Sequence, residues 1–193
     1  MNFDEPCCVR LSEEGIHRAC VQPSVGLPDA PAVISALTSE TMPTVALLQL
    51  GYNDSPATFS ADIDQVVSAL NARAVQRVVF VNLSTRRASV NYTASNDALI
   101  AATQRYPNVS VLDWNTYSAG PDKSRWFSDS VHLTSTGRVE FTLFLRNQLD
   151  ELRRRHLRDD GGRRPAHPPQ PAAAQRPRAA GAAARDAAGV DQV

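Results

Sequence analysis

Residues 77–83 read RVVFVNL, and this run decides the fold class because apolar side chains occupy both faces of an extended segment. A strand that is apolar on both faces suits the interior of a parallel sheet with helices on each side. Residues 44–50 (TVALLQL) and 109–114 (VSVLDW) have the same character, and residues 19–22 (ACVQ) form a weaker fourth run. We therefore predict a parallel β-sheet built from these segments.

Segments of helical periodicity fill the intervals between the runs. Four helices are predicted. The first begins after Asp29 with Pro31 in its first turn, and the second begins at Ser60, which serves as its cap. The third covers residues 95–105, and the fourth covers residues 135–155 with Thr134 as its N-cap. Strands that alternate with helices indicate an α/β domain, and right-handed crossovers place helices on both faces of the sheet. The predicted fold is a three-layer α/β/α arrangement.

Composition divides the chain into three parts. Residues 1–18 carry mixed charge and are predicted to be irregular, and residues 19–155 form the α/β domain. Residues 156–193 contain mainly Arg, Pro, Ala and Gly with few large apolar side chains, which predicts disorder. An Arg-rich tail that binds a partner is the alternative, but prolines and aspartates separate its arginines and favour a solvated tail.

Charge and cysteine content exclude several classes of function. The 193 residues have a formal net charge of zero, which gives no attraction toward nucleic acid. The three cysteines predict no disulfide framework, and no His/Cys set has the spacing of metal ligands, so we expect no metal and no cofactor. The chain as written has neither a signal peptide nor a transmembrane segment, which predicts a cytoplasmic location.

Polar residues follow each predicted strand, and ligand sites in open α/β sheets form at these carboxyl ends. PSVG ends at Gly26, GYND spans 51–54, STRR spans 84–87, and DSVHL spans 129–133. In DSVHL, Asp129 can hold one imidazole nitrogen of His132 and leave the other nitrogen as a base. Taken alone, the same residues also fit a turn aspartate followed by a surface histidine.

The blocks LLQLGYND (47–54) and DSVHL, taken together, resemble those of the SGNH hydrolases, the GDSL-type esterases and lipases. The resemblance extends to SGNH domains of actinobacteria and to those at the C-termini of cell-wall O-acyltransferases, and it covers about residues 19–152. It implies a flavodoxin-like α/β/α domain, here lacking its first strand, that hydrolyses or transfers a small acyl ester.

The resemblance also implies roles for individual residues. His132 would be the general base and Asp129 its orienting carboxylate. Asn53, through its side-chain amide, and Gly26, through its backbone N–H, would form the oxyanion hole.

Two residues of the same block would support the turn. Gly51 would let the chain turn sharply after its strand. Asp54 would brace that turn, or alternatively form an ordinary Asx turn before Pro56.

The Gly-Asp-Ser block that supplies the nucleophilic serine of the family does not occur in this sequence. Ser12 is the remaining weak candidate, although the link from Ser12 to residue 19 is too short for a parallel crossover. Three explanations stay open: a chain shortened at its N-terminus, a degenerate relative that binds an acylated ligand without turnover, and attack by another residue.

The resemblance also sets expectations for partners and location. The substrate would be a small acyl ester, such as an acylated glycan, with no nucleic acid involved. A missing first strand would expose a sheet edge and favour self-association. If the chain is a shortened form of a longer protein whose N-terminal part carries a leader, that protein would be extracytoplasmic.

Overall fold

The computed structural model describes residues 7–9, 19–21, 25–38 and 42–161. The chain divides into two compact units, residues 1–153 and residues 154–193. The first unit is a mixed α/β domain. In the second unit the described residues, 154–161, are helical.

A three-stranded parallel sheet organises the first unit and confirms the predicted fold class. Its strands are β3 (Val45–Leu48), β4 (Arg77–Val81) and β5 (Val109–Leu112), in the order β3-β4-β5. Register pairs Leu47 with Val79, and Phe80 with Val111. The most apolar run therefore forms the central strand, where both faces can be covered.

The run at residues 19–22 was wrongly predicted to join this sheet. Strand β2 (Ala19–Val21) instead pairs antiparallel with β1 (Cys7–Val9) in a separate two-stranded sheet. The connection between them is shorter than the dozen residues a parallel crossover requires, whereas an antiparallel pair accepts a short link. Strand β1 also lies within residues 1–18, which were predicted to be irregular.

Five α-helices accompany these strands among the described residues. They are α1 (Ala30–Ala36), α2 (Phe59–Ala72), α3 (Tyr92–Arg105), α4 (Trp114–Ser118) and α5 (Ser135–Gly161). Thr134 caps α5 as predicted, since its Oγ1 accepts from the Gly137 N–H at 3.1 Å. The predicted cap at Ser60 is wrong, because α2 begins at Phe59 with Thr58 before it. Helix α5 continues past residue 155 to Gly161, and residues 162–193 of the predicted tail lie outside the described residues.

Alternating residues of the central strand face two separate cores. Val78 and Phe80 face a core formed with apolar residues of α1, α2 and α3. Val79 and Val81 face a second core formed with α5 and a cluster of aromatic side chains. The cluster comprises Trp114, Tyr117, Trp126, Phe127, Phe141 and Phe144. Helices therefore flank the sheet on both faces, as a three-layer α/β/α fold requires.

Strand β3 forms one edge of the described parallel sheet. Its residues Val45 and Leu47 are 43% and 39% exposed, respectively. Exposed apolar residues on an edge strand favour pairing with another chain, and the expected self-association through this edge stays a prediction. No helix within the described residues is both long and apolar enough to cross a membrane.

Candidate active site

Gly51 begins the turn that follows β3, and only glycine fits there. Its φ is +123°, a backbone conformation that L residues rarely adopt. A Cβ at this position would lie 2.7 Å from the Phe59 ring and 3.0 Å from the Leu83 side chain. The Asp54 N–H donates to the Gly51 carbonyl oxygen at 3.2 Å and closes the turn. The sharp turn predicted for Gly51 is therefore present.

Asp54 connects this turn to the segment that begins at Gly26. Its Oδ2 accepts from the Leu27 N–H at 2.9 Å, across 27 positions of sequence. A Cβ on Gly26 would lie 2.2 Å from Asp54 Oδ1, so the missing side chain makes room for the carboxylate. Asp54 thus braces two loops against each other, and the alternative of a purely local Asx turn is wrong.

Replacing Asp54 with alanine should lower the free energy of unfolding by about 1–3 kcal/mol, because the buried Leu27 N–H loses its acceptor. Asp54→Asn should recover part of this loss, since its amide oxygen can still accept. Urea denaturation followed by circular dichroism measures both values. Equal stability of Asp54→Ala and the unmodified protein would contradict the bracing role.

Asn53 and Gly26 present free hydrogen-bond donors beside this brace. The Asn53 side chain is exposed, and no hydrogen bond among the described residues uses its amide. Gly26 is buried, and its N–H likewise has no acceptor within the described part of the chain. The contact between Asp54 and the Gly26–Leu27 segment holds the two loops that carry these donors together.

Asp129 and His132 form a direct pair in the loop before α5. His132 Nδ1 lies 2.7 Å from Asp129 Oδ2, and Asp129 Oδ1 accepts from the backbone N–H groups of Val131 and His132 at 2.7 Å each. Because a carboxylate oxygen accepts at Nδ1, the neutral form of the ring carries its proton on Nδ1 and its free lone pair on Nε2. The His132 side chain is 73% exposed, so Nε2 is open to a reactant.

The loop around this pair is closed at its base. Phe127 and Leu133 form an antiparallel bridge, and the Ser128 N–H donates to the His132 carbonyl oxygen at 2.8 Å. The Thr134 N–H donates to the Trp126 carbonyl oxygen at 2.8 Å, which ties the loop to the aromatic cluster. The pair therefore has a fixed backbone despite its exposure.

The hydrogen bond from His132 lowers the pKa of Asp129 well below its ordinary value of 3.8, and the backbone N–H groups of His132 and Val131 lower it further. A group whose pKa falls on folding stabilises the fold fully above its unfolded pKa and loses that effect as pH drops through the folded pKa. The closed loop should therefore persist below pH 3.8.

Titration of the Asp129 carboxyl carbon by NMR, assigned with Asp129→Asn, should give a midpoint below 3.8. His132→Ala should raise that midpoint, because the ring supplies the largest single cause of the shift. An unchanged midpoint in His132→Ala would contradict this account of the pair.

A chain of hydrogen bonds links the two polar blocks across the sheet edge. The Tyr92 hydroxyl donates to the Tyr52 carbonyl oxygen at 2.8 Å and accepts from Arg87 Nη1 at 3.4 Å. Arg87 Nε reaches Ser130 Oγ, between Asp129 and His132, at 3.5 Å. The loops after β3 and β4 thus connect with the loop of the pair.

Sequence reasoning missed Tyr92 and Arg87 as members of this edge. Arg87 belongs to STRR, which follows β4 and so occupies a site position by topology, but its partner Ser130 lies 43 positions away in sequence. Tyr52 also contributes its hydroxyl, which accepts from the Ser84 N–H at 2.8 Å. Burial raises the pKa of Tyr52 from 10.0 to about 12, so its phenol keeps its proton in more alkaline solution than an ordinary tyrosine does.

No nucleophile is paired with His132 within the described residues. Ser12 lies outside them, and no described hydroxyl forms a hydrogen bond with the His132 ring. Ser128 Oγ donates to the His132 carbonyl oxygen instead, at 3.1 Å. The described part of the chain also contains no group of three or more His, Cys, Asp or Glu residues that could hold a metal ion.

Comparisons with protein-family models and with curated proteins find no match for this chain.

Proposed function

We propose that this chain is an ester hydrolase or acyl-transfer domain of the SGNH type that acts on a small acyl ester, such as an acylated glycan. The Asp129–His132 pair carries the proposal, because its 2.7 Å contact leaves Nε2 of an exposed imidazole as a proton acceptor. Further support comes from the Asn53 amide and the Gly26 N–H, two free donors held by one brace.

The reaction would proceed by proton transfer to His132 and charge development on the ester carbonyl oxygen. His132 Nε2 takes the proton of an attacking hydroxyl, from the protein or from water, as that oxygen bonds to the carbonyl carbon. The Asn53 amide and the Gly26 N–H donate to the resulting oxyanion. When the intermediate collapses, the alcohol leaves and takes the proton from Nε2. If the attacking hydroxyl belongs to the protein, water or an acceptor alcohol then displaces the acyl group from it with the same base, and Asp129 keeps its charge throughout.

Hydrolysis of 4-nitrophenyl acetate tests this proposal through Asn53. Asn53→Ala should reduce kcat by about 10²–10³-fold, because one oxyanion donor is lost. Asn147→Ala, at an exposed position of α5, is the matched control and should keep the kcat of the unmodified protein. If the unmodified protein hydrolyses no faster than Asn53→Ala, the proposed function is wrong.

A non-catalytic domain that binds an acylated ligand is the second candidate function. It is favoured by one observation, the absence of any described hydroxyl bonded to the His132 ring. A fluorophosphonate probe distinguishes the two, since it labels an activated serine covalently. Labelling would exclude the binding domain and identify the nucleophile by peptide mapping. Hydrolysis without labelling would indicate direct attack by water.

A further inference from the structure

Arg87 places a positive charge at the proposed active site without a negative partner. Its guanidinium reaches two hydroxyl oxygens, of Ser130 and Tyr92, at 3.5 Å and 3.4 Å. Both distances exceed the ordinary 2.7–3.2 Å range of such bonds. At most two of the five guanidinium N–H groups are therefore occupied, and no carboxylate of the described residues forms an ion pair with Arg87.

Two other arginines of this protein have guanidinium groups that are held by strong hydrogen-bond or ion-pair partners. Arg86 donates to the carbonyl oxygens of Ser118 and Gly120 and lies 4.9 Å from the centre of the Phe127 ring. Arg105 pairs with Asp64 at 2.7 Å. Each has strong partners that fix it in place, whereas Arg87 keeps most of its binding capacity.

Neither carboxylate of the two polar blocks, Asp54 or Asp129, pairs with Arg87. The Asp129 carboxylate already accepts from the His132 ring and two backbone N–H groups, and Asp54 accepts from Leu27. The Asn53 amide is a free donor at the same edge. Because the two carboxylates are engaged, the charge of Arg87 is left for a ligand.

We infer that Arg87 binds a carboxylate carried by the substrate, so that the natural ester belongs to an acidic molecule such as an acidic sugar. This inference rests on the proposed function. A single guanidinium matches the charge and the two-oxygen geometry of one carboxylate. One guanidinium is enough for a carboxylate, and Arg87 supplies one whose two hydrogen bonds are both long.

The inference is tested by comparing the kcat/KM for hydrolysis of 3-acetoxybenzoate with that of its methyl ester. The same comparison is made for 4-acetoxybenzoate and its methyl ester. The unmodified protein should prefer the free carboxylates by about 10-fold or more in kcat/KM, as expected for a charged hydrogen bond. Arg87→Met should remove this preference mainly through KM, and Arg87→Lys should keep part of it. Arg146→Met, at an exposed position of α5, is the control and should leave the preference intact.

Binding measured by NMR supplies a readout that needs no turnover. 4-Hydroxybenzoate should bind more tightly than its methyl ester, and Arg87→Met should abolish the difference. If this binding occurs without ester hydrolysis, the carboxylate site stands and the proposed function fails. Hydrolysis with the same preference in Arg87→Met and the unmodified protein overturns the inference alone. If the protein shows neither binding nor hydrolysis, the inference and the proposed function are both wrong. If 4-hydroxyphenylphosphonate binds more tightly than 4-hydroxybenzoate and this binding depends on Arg87, the choice of a carboxylate is wrong.

Discussion

His132→Ala is expected to lower kcat for 4-nitrophenyl acetate by about 10²–10⁴-fold, the usual contribution of a general base. The variant removes the imidazole of the Asp129–His132 pair, and with it the proton acceptor Nε2. The loss should appear in kcat, because proton transfer occurs in the transition state and contributes little to binding the ground state.

Because His132 is exposed, its truncation should affect catalysis without a large effect on stability. Its side chain is 73% exposed, so truncation should leave the fold and the denaturation curve nearly unchanged. Added imidazole should restore part of the activity if the missing group is a base. Asp129→Asn should also lower kcat, because an amide favours the wrong tautomer of the ring. Equal kcat values for His132→Ala and the unmodified protein would contradict the catalytic role.

Trp114→Ala should have the largest effect on stability, a loss of about 3–5 kcal/mol in the free energy of unfolding. Trp114 is 1% exposed and lies at the centre of the aromatic cluster. Its ring centre lies 4.8 Å from that of Phe141, 5.3 Å from that of Phe144 and 6.0 Å from that of Trp126. The cavity would remove contacts from both α5 and the loop that precedes it.

Urea denaturation monitored by near-ultraviolet circular dichroism measures this loss. Leu143→Ala is the control, because Leu143 is 43% exposed on α5 and its truncation leaves no cavity. A loss below about 1 kcal/mol in Trp114→Ala would contradict the central place of this ring, since so small a value is typical of a surface change. The carbonyl oxygen of Trp126 accepts from Thr134, so the variant should also loosen the His132 loop.

Periodicity predicted the three parallel strands and the helices between them, because burial on both faces leaves a pattern in the local sequence. It failed for residues 19–21, since a short apolar run looks the same in a parallel and an antiparallel pair. The contact between Asp129 and His132 was also predictable, because the partners are three positions apart in one loop.

The rest of the site depended on contacts between distant parts of the chain. Asp54 reaches Leu27 and Arg87 reaches Ser130, across separations of 27 and 43 positions that carry no periodic or spacing signal. The order of elements and the polar blocks at strand ends are thus local properties, readable one segment at a time. Which loops meet, and which charge is left unpaired between them, follows from packing the segments together, because each such contact joins residues that are neighbours only in space.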